Sequence, residues 1–296
     1  MLSFTHGRNL YRYDADESPA TYVTNYLITA VCWLGIAAFL LLKPKPQQPS
    51  PPSAAAFARA PPTMLLLIHL GLYGIVMLIG GLGHQVWKHN KCPGIEMPAN
   101  VSVPCPDGGT DNEPAIQSYL FFLGPCEFLL FPISIALSGL AGKCHGAYLP
   151  ILVVALVLGL AAGCYGAAMG HDGFFILGAL LALNYLTLTV LSLVGICVDG
   201  TLKLGRAIVS SSSLLLLVGF GIQVLYSPSC GSEAYFSAEG IVDCPFDGDG
   251  VTGINHNFVY HVFEIISKLM LVVGMRFLVV DPADKPGNLE LGQQMA

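Results

Sequence analysis

Seven long apolar runs decide what this chain can fold into. They cover residues 22–42, 64–87, 117–139, 147–169, 173–198, 207–226 and 257–280. Each holds about 20 residues or more, enough for a helix rising ~1.5 Å per residue to cross a ~30 Å hydrocarbon core. Backbone polar groups in lipid must be satisfied within the segment, which selects helices, and the sequence has none of the short alternating strands of a barrel. Composition agrees, since 11% of the residues are charged where soluble domains carry about 25%. The expected fold is all-α: a polytopic membrane protein with a bundle of seven transmembrane helices over 22–280. An acidic segment, 1–21, precedes the bundle, and a tail, 281–296, follows it. No basic patch or phosphate-cradling Gly-Lys loop points to nucleic acid or nucleotide, so the first expected partner is the lipid bilayer.

Orientation follows from lysine and arginine. One set of connections, 43–63, 140–146, 199–206 and the tail, together with the adjoining end of the last span, carries Lys43, Lys45, Arg59, Lys143, Lys203, Arg206, Arg276 and Lys285. The other set, the N-terminal segment with 88–116, 170–172 and 227–256, carries Arg8, Arg12, Lys88 and Lys91. The positive-inside rule then predicts an outer N-terminus and a cytosolic C-terminus. Cys92 and Cys105 share one predicted outer loop, and Cys230 and Cys244 share another. Four cysteines on the oxidising side are candidates for two disulfides, paired within or between the loops. Asn100-Val101-Ser102 is a glycosylation sequon in the same outer loop. These features suit an integral protein of the secretory pathway or plasma membrane. Cys32, Cys126, Cys144, Cys164 and Cys197 read as small core residues. The inner linker 43–63 is rich in Pro and Ala and is expected to be extended or disordered.

The polar residues of the spans collect at two depths. His84 falls near the outer end of the second span, His171 and Asp172 at the outer mouth of the fourth, and His256 and His261 in the first turns of the seventh. His69 and His145 fall near the inner side and are set apart. In the seventh span, Asn257, His261, Glu264 and Lys268 are spaced by 4, 3 and 4, which makes one helical stripe. Charge at membrane depth is expensive, so the stripe should face the bundle interior. Glu264 before Lys268 at i,i+4 is the favourable order for an ion pair. Glu127, about halfway through the third span, can join this network. The bland reading is a structural pair that fixes helix packing. The alternative is a transporter, channel or receptor using the Glu/Lys/His network as an ion or proton path.

The pairing of "GGLGHQ" on the second span with "NHNFVYHVFEI" on the seventh resembles the CREST superfamily of seven-helix membrane hydrolases. That superfamily includes alkaline ceramidases, the progestin and adipoQ receptors, and lipid-remodelling enzymes acting on GPI anchors. The seventh-span ending also resembles an uncharacterised multi-pass family with an NHNxxYH pattern. The first resemblance implies a zinc ion held by one histidine of the second span and two of the seventh. It also implies a lipid amide or ester substrate, in an active hydrolase or a non-catalytic relative. Carried over, His84 and His261 match ligands, and His256 is the third candidate. Asn257 stands where the family has a histidine, and Gly80 stands where it has a serine. The family's aspartate near the third span has no clear counterpart; Asp111 and Glu113 precede that span. Zinc-bound water would be the nucleophile, with Glu264 or Asp172 as general base. A further alternative is a retinal protein with Lys268 as the Schiff-base lysine and Glu264 one turn earlier. The chain has only Trp33 and Trp87 to build an aromatic cage for it.

Overall fold

A computed structural model describes residues 19–41, 54–86, 113–139, 148–169, 173–198, 202–230 and 256–279. Eight helices account for them: α1 (Pro19–Leu41), α2 (Ala54–Val86), α3 (Glu113–Phe128), α4 (Leu130–Leu137), α5 (Tyr148–Met169), α6 (Gly173–Val198), α7 (Lys203–Cys230) and α8 (His256–Val279). They form seven helical spans long and apolar enough to cross a membrane, because α3 and α4 are two parts of one, Ala115–Leu137. No strand occurs among the described residues. The break between α3 and α4 has a chemical cause. Pro132 has no N–H for the Phe128 carbonyl, and Pro125 has none for the Phe121 carbonyl. The remaining bonds around the break, Leu129 N to Pro125 O and Ile133 N to Leu129 O, are long at 3.3 Å. Glu127 lies between the two prolines.

Successive spans pack side by side, and α8 returns against α1 to close a ring. The third span lies within it, touching α2, α5 and α6, and is the most buried of the seven. At the other extreme, α5 exposes Leu149, Val153, Val157 and Leu160. Apolar surface this extensive suits hydrocarbon and not water. Short polar bonds fasten neighbours where lipid offers no competing partner. Thr29 Oγ1 donates to Gly74 O at 3.1 Å between α1 and α2. Ser210 Oγ donates to Thr189 O at 3.3 Å between α7 and α6. Ser212 Oγ donates to Ser267 O at 2.8 Å between α7 and α8.

Several boundaries differ from those expected. The Pro/Ala-rich linker is helical from Ala54 onward, because its Ala-rich stretch Ala54–Ala60 is strong helix-forming sequence. The helix of the sixth span extends at both ends, from Lys203 to Cys230. Cys32 and Cys126 are buried, but Cys164 and Cys197 are exposed. In this bundle those two face outward, which corrects their expected place in the core. Segments 1–18 and 281–296 lie outside the described residues, as do Cys92, Asn100, Cys105, Cys144, Asp172 and Cys244. Cys230 and His84 lie on α7 and α2, with side chains outside the description.

Candidate functional site

The stripe on α8 faces inward as its spacing requires. Asn257 and His261 are buried, and Glu264 and Lys268 are wholly so. The tight α7–α8 contact sets this rotation, with Gly219 against Phe263 and Gly274 against Val209. The stripe enters two separate groups of polar side chains.

The first group lies at the N-terminal end of α8. His261 Nδ1 and Thr24 Oγ1 of α1 are 2.8 Å apart. Thr24 Oγ1 also lies 2.8 Å from both Ala20 O and Thr21 O. A carbonyl only accepts, so the single hydroxyl proton goes to the backbone and His261 Nδ1–H donates to Thr24. His261 Nε2 then carries the lone pair. His256 belongs to the first turn of α8, as its place in the sequence suggested, and is 2% exposed. Its Nδ1 has no hydrogen-bond partner. Asn257 accepts a hydrogen bond from Gln223 Nε2 of α7.

These residues fit a metal only in part. The orphaned His256 Nδ1 offers one imidazole nitrogen, and a hydrogen bond such as that between His261 Nδ1 and Thr24 is usual behind a metal ligand. His84, the third member, lies outside the side-chain description. No group of three or more His, Cys, Asp or Glu able to hold a metal occurs among the described residues. The serine position fits poorly, because a Cβ at Gly80 would meet the Tyr119 ring at 3.3 Å.

The second group lies deeper. Glu264 and Lys268 do not form the direct ion pair that their spacing suggests. The phenol of Tyr73, from α2, comes between them. Its hydroxyl donates to Glu264 Oε1, and Lys268 Nζ stands 3.5 Å over its ring centroid. Lys268 Nζ also donates to Tyr185 OH of α6 at 2.6 Å. One tyrosine thus serves both charges, the anion through its O–H and the cation through its ring. Glu264 Oε2 has no hydrogen-bond partner.

Glu127 joins this centre from α3. It is 2% exposed and lies within electrostatic reach of Lys268 and Glu264. Neither of its oxygens has a hydrogen-bond partner. His69, set apart from the outer histidines by its depth, belongs here. Its Nδ1–H donates to Cys126 O at 3.0 Å, its ring lies 5.6 Å from that of Tyr73, and its Nε2 has no partner. His69 and Tyr73 are four apart and share a helix face, so the sequence held a signal for this pair. It held none for Tyr185, one of 12 tyrosines, on a helix without charged residues. Trp33 is 43% exposed and so does not wall a cage around Lys268, and Trp87 lies outside the described residues.

No protein-family model matches the chain, and no curated protein or solved structure is significantly similar to it.

Proposed function

We propose that this chain is a membrane transport protein, moving protons or small cations through the centre built by Glu127, Glu264 and Lys268. One observation carries the reading. The spans contain two acidic residues, both buried around one lysine, and three of their four carboxylate oxygens lack a hydrogen-bond partner. A purely structural ion pair is tolerable in a dry interior only when its remaining lone pairs are satisfied. Unsatisfied carboxylate oxygens at membrane depth mark a place where a cation comes and goes. In liposomes, the reconstituted protein is expected to carry protons or alkali cations down an imposed gradient, and Glu264→Gln to lose that flux. Wild-type vesicles no leakier than empty ones, or unchanged flux in a folded Glu264→Gln sample, sink the reading.

The orphaned His256 Nδ1, on the same helix end as His261, favours a second reading, a zinc site completed by His84. The residues would hold the ion by neutral imidazole nitrogens, and zinc there would supply an activated water for hydrolysis of a lipid amide or ester. Thr24 would orient His261. Asp172 and Glu264 remain the general-base candidates for that chemistry, although Glu264 is engaged by Tyr73. Purified protein is expected to retain about one zinc per chain, reduced in His84→Ala and in His261→Ala. A folded wild-type sample free of zinc after growth in zinc-supplemented medium removes this reading and leaves the transport reading untouched. Among the described residues around Lys268, none favours a retinal chromophore over either.

A further inference from the structure

The deep centre has a charge inventory that does not balance. Glu127 and Glu264 would bring two negative charges, and Lys268 brings one positive. Among the described residues no other fixed charge lies close enough to correct the sum. Arg276 is eight residues beyond Lys268 on α8, about 12 Å at ~1.5 Å per residue. Arg206 is committed at the far end of α6, where its Nη1 donates to Gly195 O at 2.8 Å. The other titratable groups facing the centre add no fixed cation. They are Cys32 from α1, His69 and Tyr73 from α2, and Tyr119 and Cys126 from α3. Tyr185 from α6 and Tyr260 from α8 complete them, while Ser212 of α7 is bonded to Ser267. A net negative charge in a low-dielectric interior is costly, and such a site neutralises itself by binding one cation.

The two carboxyl groups are not equivalent in where that cation would go. Glu264 accepts the Tyr73 hydroxyl and shares the Tyr73 ring with the Lys268 ammonium. Both contacts favour its ionised form. Glu127 has no donor on either oxygen. A carboxylate without a single donor is the poorer home for charge, and a neutral carboxylic acid is the form this environment accepts. We infer that Glu127 holds one exchangeable proton while Glu264 stays ionised as the partner of Lys268, an assignment that deepens the transport reading and rests on it. Tyrosine hydroxyls around the centre suit a proton better than a metal cation, because they offer hydrogen-bond donors as well as acceptors. Glu127 is therefore the residue that loads and unloads, and Glu264, Tyr73 and Lys268 hold the counter-charge in place.

Infrared spectroscopy of the full-length protein in lipid tests this assignment. At neutral pH the wild type should show one buried carboxylic-acid C=O stretch that shifts in heavy water. Glu127→Gln, which replaces a neutral acid by an amide of the same shape, should fold normally and lose that band. The band should lie at the high frequency of an acid whose C=O accepts no hydrogen bond, because Glu127 has no donor whereas Glu264 accepts from Tyr73. A wild type without the band means that a metal cation balances the charge. A band that survives Glu127→Gln, or one lowered by a hydrogen bond to its C=O, means that another carboxyl carries the proton. Each of these three results overturns the assignment. Absence of flux with the band present and lost in Glu127→Gln would defeat only the transport reading. Flux driven by sodium, with no acid band, would defeat only the proton assignment.

Discussion

Replacing Lys268 with methionine is expected to lower the stability of the bundle by about 3–5 kcal/mol, the usual cost of removing one member of a buried charge pair. Methionine keeps most of the volume of the lysine stem, so packing is little altered. What changes is electrostatic. Lys268 is wholly buried, donates to Tyr185 OH and stacks on Tyr73, and its loss strands the Glu264 carboxylate. The double variant Lys268→Met/Glu264→Gln removes both charges and should recover most of the loss, because an uncharged pair of similar shape is often as stable as the ionic one. Unfolding in mild detergent, followed by helical circular dichroism, gives the comparison. Equal stability of the single and double variants would show that the two charges are not coupled through Tyr73, and the description of the centre would then be wrong.

The second large effect is expected away from the charges, at Gly124 on α3. A Cβ there would run into Gly159 O and into the backbone of Gly163 on α5, closer than real contacts come. Both obstacles are main chain, so no side chain can rotate aside. Gly124→Ala must push α3 away from α5, at a cost of about 1–3 kcal/mol for overpacking, partly offset by the better helix propensity of alanine. Gly124 lies three residues before Glu127, so the shift should also disturb the centre. Gly221→Ala is the control. Nothing lies within 4 Å of its Cβ position, and the gain in helix propensity should leave stability equal or raised by about 0.5–1 kcal/mol. Thermal unfolding of both variants in the same detergent checks the contrast. A Gly124→Ala protein as stable as wild type would mean that α3 and α5 are not in backbone contact.

The candidate site was legible in the sequence only along a single helix. The spacing of Asn257, His261, Glu264 and Lys268 placed them on one face, and the cost of charge in lipid turned that face inward. Helical periodicity carries no information about which other helix meets the stripe, or at what depth. Hence Glu264 and Lys268 read as a direct pair, and the tyrosine that stands between them went unseen. Depth along α2 separated His69 from the outer histidines, but nothing local showed that it bonds to the backbone beside Glu127.

By itself the sequence determined the number of spans, their helical character and the inward turn of the α8 stripe. The physical reason is local: apolar length, backbone satisfaction and the period of 3.6 residues all act within one segment. The predicted orientation rests on lysine and arginine counts alone, and the charge of each loop is likewise local. Only the tertiary structure decided that α1 supplies Thr24 to His261, that α2 and α6 supply the tyrosines around Lys268, and that Glu127 faces the same centre without a donor. Those contacts join residues far apart in the chain, and they depend on glycine backbones, proline breaks and side-chain shape at helix crossings. The third span shows the two together. Its prolines break the helix by local chemistry, but only packing against α2, α5 and α6 puts the glutamate between them into the centre of the bundle.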